Sequence, residues 1–111
     1  MTRRQEKVES LLQQTAAQVM NREFSLPHTT ATVTKADVSP DMRNVIVWIS
    51  VYGDKRDELV GRVEAAAPGA IASALAQIGS LRGIPRIHVK IDESGEDVER
   101  IARLLNSVKG D

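Results

Sequence analysis

Eight residues near the middle of the chain, Val45-Ile-Val-Trp-Ile-Ser-Val-Tyr52, constrain its fold most. On an extended strand Val45, Val47, Ile49 and Val51 share one face, and Ile46, Trp48, Ser50 and Tyr52 the other. One face is fully apolar and the other mixed. Upstream, residues 30–38 are rich in β-branched side chains, with an alternation loose enough to predict a bulge near Lys35. Between them Ser39-Pro-Asp-Met-Arg-Asn44 has turn chemistry, so the two strands predict an antiparallel hairpin. A third strand, Arg86 to Asp92, alternates cleanly: Ile87, Val89 and Ile91 point in, Arg86, His88 and Lys90 out.

Helical periodicity fills the rest. Residues 3–24 place Val8, Leu11, Leu12, Thr15, Val19 and Met20 on one stripe, with Thr2 as N-cap and Pro27 as stop. After Gly53, Asp54 is the expected N-cap of a second helix striped by Leu59, Val60, Val63 and Ala67. Pro68-Gly69 then predicts a break, because proline lacks the N–H and disfavours α at Ala67. A third helix carries Ile71, Ala74, Leu75, Ile78 and Leu81 as far as Gly83. Ser94-Gly-Glu-Asp97 opens a last one striped by Val98, Ile101, Ala102, Leu105 and Val108. The order is α-β-β-α-α-β-α. The expected core comprises Val8, Leu11, Leu12, Val47, Ile49, Val63, Ile71, Leu75, Ile78, Ile87, Val89 and Ile101.

Composition bounds the function. A chain of 111 residues makes one domain. Cysteine is absent, which excludes disulfides, thiolate catalysis and cysteine-rich metal sites. Fifteen basic residues balance fifteen acidic ones, so a polyanion must be met by a local patch. No apolar run approaches the ~18 residues of a membrane span, and no signal-peptide pattern opens the chain, so the cytoplasm is the expected location.

Between Glu64 and Asp92 there is no carboxylate, and the formal charges are Arg82, Arg86 and Lys90. Phosphate binding wants cations or free amides with acids kept away. The bland alternative is an apolar helix with few charges of either sign. Arg3, Arg4 and Lys7 cluster where a helix N-terminus disfavours cations, which suits an anionic partner or a solvated face eased by Glu6 and Glu9. Arg43, in the hairpin turn, is exposed under either reading. Trp48 is one of three aromatic residues. It is expected in the core against the first helix, with a stacking platform as the alternative. His28 and His88 lack neighbouring ligands, and the acid run from Asp92 to Glu99 suits a helix start. No nucleophile triad, phosphate loop or dinucleotide fingerprint is present.

The order and several short signals together resemble the ribosome-binding factor A family, whose fold is a type II KH-like domain. The signals are Arg4 and Lys7-Val8, Val38-Ser39-Pro40-Asp41, Val45, Val47-Trp48-Ile49-Ser50, Ala67-Pro68-Gly69, Leu81-Arg82, Pro85, Ile87 and Ile91-Asp92. The resemblance covers residues ~3–108 and implies one α+β domain over 1–111, a three-stranded sheet with helices on one face. It also implies that Ala67-Pro68-Gly69 replaces the Gly-x-x-Gly loop of KH domains. For function the resemblance implies a monomeric, non-enzymatic assembly factor without cofactor or metal. Such a factor binds 16S rRNA on the immature 30S subunit and promotes its processing. The candidate RNA-binding residues are Arg3, Arg4, Lys7, Arg43, Ala67, Gly69, Arg82, Arg86 and Lys90. The competing expectation is a KH-like protein-interaction module with little RNA binding.

Overall fold

The computed structural model describes residues 3–79 and 83–93. Thr2, Leu81, Arg82 and the expected last helix with Ile101 lie outside them. Helix α1 spans Arg3–Glu23, and its stripe of Val8, Leu12, Thr15, Ala16, Val19 and Met20 is buried. Phe24 continues the last turn by donating its N–H to the Met20 carbonyl at 3.0 Å.

A short strand then precedes the expected hairpin. Strand β1 (Ser25–Leu26) pairs antiparallel with the start of β2 (Thr29–Val38), matching Ser25 to Thr30 and Leu26 to Thr29. Pro27 fixes the first turn position, and His28 takes the left-handed conformation (φ 54°) at the second. Pro27 thus makes a turn as well as ending the helix. Strand β3 (Asn44–Gly53) runs antiparallel to β2, and β4 (Arg86–Ile91) runs parallel to β3. The sheet therefore has four strands, ordered β1-β2-β3-β4, where three were expected.

The bulge falls where the alternation failed. Val33 pairs with Ile49 and Lys35 with Trp48, which leaves Thr34 as the extra residue. This insertion lets Val33 and Ala36 both turn toward the core while Lys35 turns out.

Both helices lie on one face of the sheet, α1 chiefly over β2 and α2 over β4. Val45, Val47, Ile49 and Val51 are 0–1% exposed beneath them. Ile46, Trp48 and Tyr52 lie on the other face. Of the expected core, Val8, Leu12, Val47, Ile49, Val63, Ile71, Leu75 and Ile87 are buried, while Leu11 and Val89 pack partly buried against it.

The region around Pro68 departs from expectation. Helix α2 is continuous over Arg56–Ile78, with Pro68 inside it, where two helices were expected. Proline in mid-helix costs ~3 kcal/mol through the lost donor and the clash with the carbonyl four residues back. Against that stand Leu59, Val63, Ala67, Ile71 and Leu75, spaced by four and 0–1% exposed. A break at Pro68 would throw one half of this stripe out of phase with the other. At ~1.5–3 kcal/mol per large side chain, the stripe outweighs the proline.

Both ends of α2 also differ from expectation. Lys55, not Asp54, is the N-cap residue and makes no side-chain cap. Thr29 Oγ1 instead accepts the Lys55 N–H at 2.9 Å. Gly79, left-handed at φ 71°, ends the helix early, so Ile78 is 47% exposed and outside the core. Although α2 is long and apolar enough to cross a bilayer, its apolar stripe is spent on the sheet.

Candidate nucleic-acid interface

Cations distant in sequence meet at one end of the molecule. The Gln5 side-chain amide donates to the Ser39 carbonyl at 3.5 Å, and Glu9 Oε1 accepts the Val38 N–H at 3.2 Å. Together these hold the start of α1 against the β2–β3 hairpin. The parallel register places Arg86 opposite Asn44, and the Arg86 N–H donates to the Arg43 carbonyl at 2.8 Å. Arg3, Arg4, Lys7, Arg43 and Arg86 are thereby drawn to the same end, all exposed. A shallow indentation lined by Met42, Arg43, Gly83, Ile84 and Pro85 lies between hairpin and β4.

The hairpin turn is tied by its own side chains. Ser39 Oγ donates to Asp41 Oδ1 at 2.6 Å and accepts the Asn44 N–H at 3.1 Å, and Asp41 Oδ1 also accepts the Arg43 N–H at 3.0 Å. The Ser39 hydroxyl and the Arg43 amide, aided by the Arg43 charge, hold the Asp41 carboxyl below its ordinary range. Met42 is left-handed at φ 61°.

What marks this end is the number of cations without countercharge. Elsewhere Arg22 pairs with Glu23, Lys35 with Asp37, Arg62 with Glu58, and Arg56 with Asp57 and Glu93. Among the described residues, Arg3, Arg4, Lys7, Arg43, Lys55, Arg86 and Lys90 have no carboxylate within ion-pair distance, and of these only Lys55 and Lys90 lie away from this end. Glu9, one of the two carboxylates that a solvated face would use to ease these cations, accepts the Val38 N–H.

The other candidate residues lie apart. Lys90 is on the open face of the sheet, its Nζ 5.5 Å from the Trp48 ring centre. Trp48 is likewise on that face, not in the core against α1. Ala67 is fully buried, so its side chain has no access to a ligand. Gly69 is exposed, with open space where a Cβ would stand. Because α2 runs unbroken through it, no helix begins there and no set of free amides is presented. The expected amide donors near Gly69 are therefore not supplied. Arg82 lies outside the described residues. Lys35 marks the expected bulge but is not among the candidate site residues; that bulge brings it opposite Trp48.

A sheet covered on one face, with its elements in the order α-β-β-β-α-β over the described residues, defines a KH-like domain. The Ribosome-binding factor A family model matches residues 4–105, and the chain belongs to that family. Ribosome-binding factor A of Thermomicrobium roseum is 34% identical over 96% of this chain and 84% of its own length. The Natranaerobius thermophilus protein of that name is 35% identical over 95% and 82%. The crystal structure of ribosome-binding factor A from Thermus thermophilus superposes with a TM-score of 0.62 at 20% identity, covering 81% of this chain and 97% of that one. A homology model of the Thermus protein, fitted into a cryo-EM map of its 30S complex, gives a TM-score of 0.63 at 20% identity over 78% and 93%.

Proposed function

We propose that this chain is a non-enzymatic assembly factor that binds 16S rRNA on the immature 30S subunit in the cytoplasm and promotes its maturation. The observation that carries this reading is the group of uncompensated cations at one end: Arg3, Arg4, Lys7, Arg43 and Arg86. Side chains on three separate elements converge there without a carboxylate at ion-pair distance, while the other arginines among the described residues, Arg22, Arg56 and Arg62, are paired. A phosphate backbone takes such a surface through counterion release. The relatives support the reading by name, and the Thermus protein by its 30S complex. Arg82 and Lys90 belong to the proposal as further phosphate contacts. Gly69 belongs to it only as a place where a backbone can approach closely, and Ala67 only as packing beneath it.

The test is sedimentation with 30S precursors over a salt series. Arg43→Ala with Arg86→Ala should weaken binding and lower the slope of log affinity against log salt by about two contacts. Arg22→Ala with Arg62→Ala, which removes paired arginines, should leave both nearly unchanged. Equal behaviour of the two double variants would reject this end as the RNA surface. Loss of salt dependence altogether would favour the protein-interaction alternative that the zero net charge suggests.

A further inference from the structure

We infer that the open face of the sheet carries a second RNA contact, in which a single-stranded base stacks on Trp48 and its phosphates lie between Lys35 and Lys90. This rests on the rRNA-binding reading but uses a different surface.

The three residues form one row across three strands: Lys35 pairs with Trp48 in β2–β3, and Trp48 with Lys90 in β3–β4. The bulge at Thr34 makes the row. Without it Thr34 would stand opposite Trp48 and Lys35 would turn toward the core. With it, Lys35 Nζ lies 5.2 Å and Lys90 Nζ 5.5 Å from the ring centre. The ring is held in place, because Trp48 Nε1 donates to Asp37 Oδ2 at 3.0 Å. A pre-oriented indole flanked by two ammonium groups on a solvent face is what base stacking with phosphate contact requires.

Magnitudes favour exchange of lysines for a base. Each cation–π contact at an exposed site is a factor of about two to five in equilibrium. A stacked base is worth about fivefold to over a hundredfold. The lysines can therefore leave the ring for phosphates while the base takes their place. Among the described residues Asp37 and Asp92 share this face, and both are engaged: Asp37 with Trp48 and Lys35, Asp92 with the Thr34 hydroxyl at 2.9 Å. They offset the lysine charge, so stacking rather than charge dominates, and a bare polyanion should bind poorly.

Trp48 is the only tryptophan, so its fluorescence reports this face alone. The full chain is titrated with short single-stranded oligoadenylate, with naked 16S rRNA, with intact 30S precursors and with inorganic polyphosphate. Oligoadenylate and rRNA should quench Trp48 saturably, and polyphosphate should not. Lys35→Ala with Lys90→Ala keeps the ring and should weaken oligoadenylate binding about fivefold or more. Trp48→Phe, assayed by filter binding, should retain more affinity than Trp48→Leu.

Unchanged emission with oligoadenylate and rRNA, while wild type still sediments with 30S precursors and Arg43→Ala/Arg86→Ala does not, overturns this inference and leaves the assembly-factor reading standing. Quenching by oligoadenylate without 30S binding does the reverse. Emission that responds to intact precursors but to neither RNA assigns the face to a ribosomal protein and also overturns the inference.

Discussion

The two ends of this sheet are built on opposite principles. At the end where β3 meets α2, polar groups are consumed internally. The Thr29 hydroxyl donates to the Pro27 carbonyl and accepts the Lys55 N–H, and Arg56 reaches the Val51 carbonyl, Asp57 and Glu93. Backbones there nearly touch. At the end where the hairpin meets α1 and β4, five cations stand without a described carboxylate partner. A charge left uncompensated adds nothing to the fold; a charge paired within it adds little to binding. The first end should therefore respond to substitution in stability, and the second in affinity.

The sharpest way to break that contrast is Gly53→Ala. Gly53 has φ 134°, and a Cβ there would lie 2.2 Å from the His28 carbonyl oxygen and 2.5 Å from Thr29 Cα. Neither neighbour is a flexible side chain. A loss of about 3 kcal/mol or more in urea unfolding is expected. A loss below about 1 kcal/mol would mean that this end yields more readily than the packing implies. Next comes Thr29→Val, which keeps the shape of a residue 1% exposed but strips both hydroxyl contacts. It should cost ~1–3 kcal/mol, since a partly buried N–H and a carbonyl lose their partner. Per folded molecule, 30S binding should not change.

Much of the knitted architecture could be read from the chain, and the reason is locality. The β-branched run, the turn chemistry of Ser39 to Asn44 and the failed alternation near Lys35 each act within a few residues. β1 escaped because two residues have no periodicity to detect, and Pro27 reads equally well as a helix stop. The continuity of α2 escaped because a local rule about proline was set against a tertiary one. Its in-phase stripe from Leu59 to Leu75 was already visible and was the better guide. Trp48 was misplaced for a related cause: burial statistics outweighed its position among the mixed residues of its strand. The cation cluster was legible only in pieces. Arg3, Arg4, Lys7, Arg43 and Arg86 each stand out in the chain, but their meeting depends on the parallel pairing of β4, which no local pattern declares.

The converse variants belong to the cationic end. Arg43→Ala with Arg86→Ala should change unfolding free energy by no more than ~0.5 kcal/mol, as exposed side chains without ion pairs do. Urea denaturation checks this beside the sedimentation series. A loss of ~2 kcal/mol would show that these arginines hold hairpin to strand, and the division between the two ends would fail.

The smallest effect should come from Asp41, whose carboxylate works for the fold at the cationic end. Its carboxylate accepts from the Ser39 hydroxyl and the Arg43 amide, and these contacts hold its folded pKa below the ordinary aspartate value. A lowered folded pKa favours the folded state wherever the unfolded chain would bind the proton more readily. That contribution is present above the ordinary carboxylate range and is lost as pH falls through the folded pKa, below about pH 4. Because the carboxyl is fully exposed, the change should be local: NMR amide shifts of Arg43 and Asn44 should titrate with a midpoint below that of free aspartate. Asp41→Asn should remove the titration while 30S binding near neutral pH holds. A midpoint at or above the free value would mean that the turn does not keep its hydrogen bonds in solution, and Arg43 would then be presented by a loose hairpin rather than a fixed one.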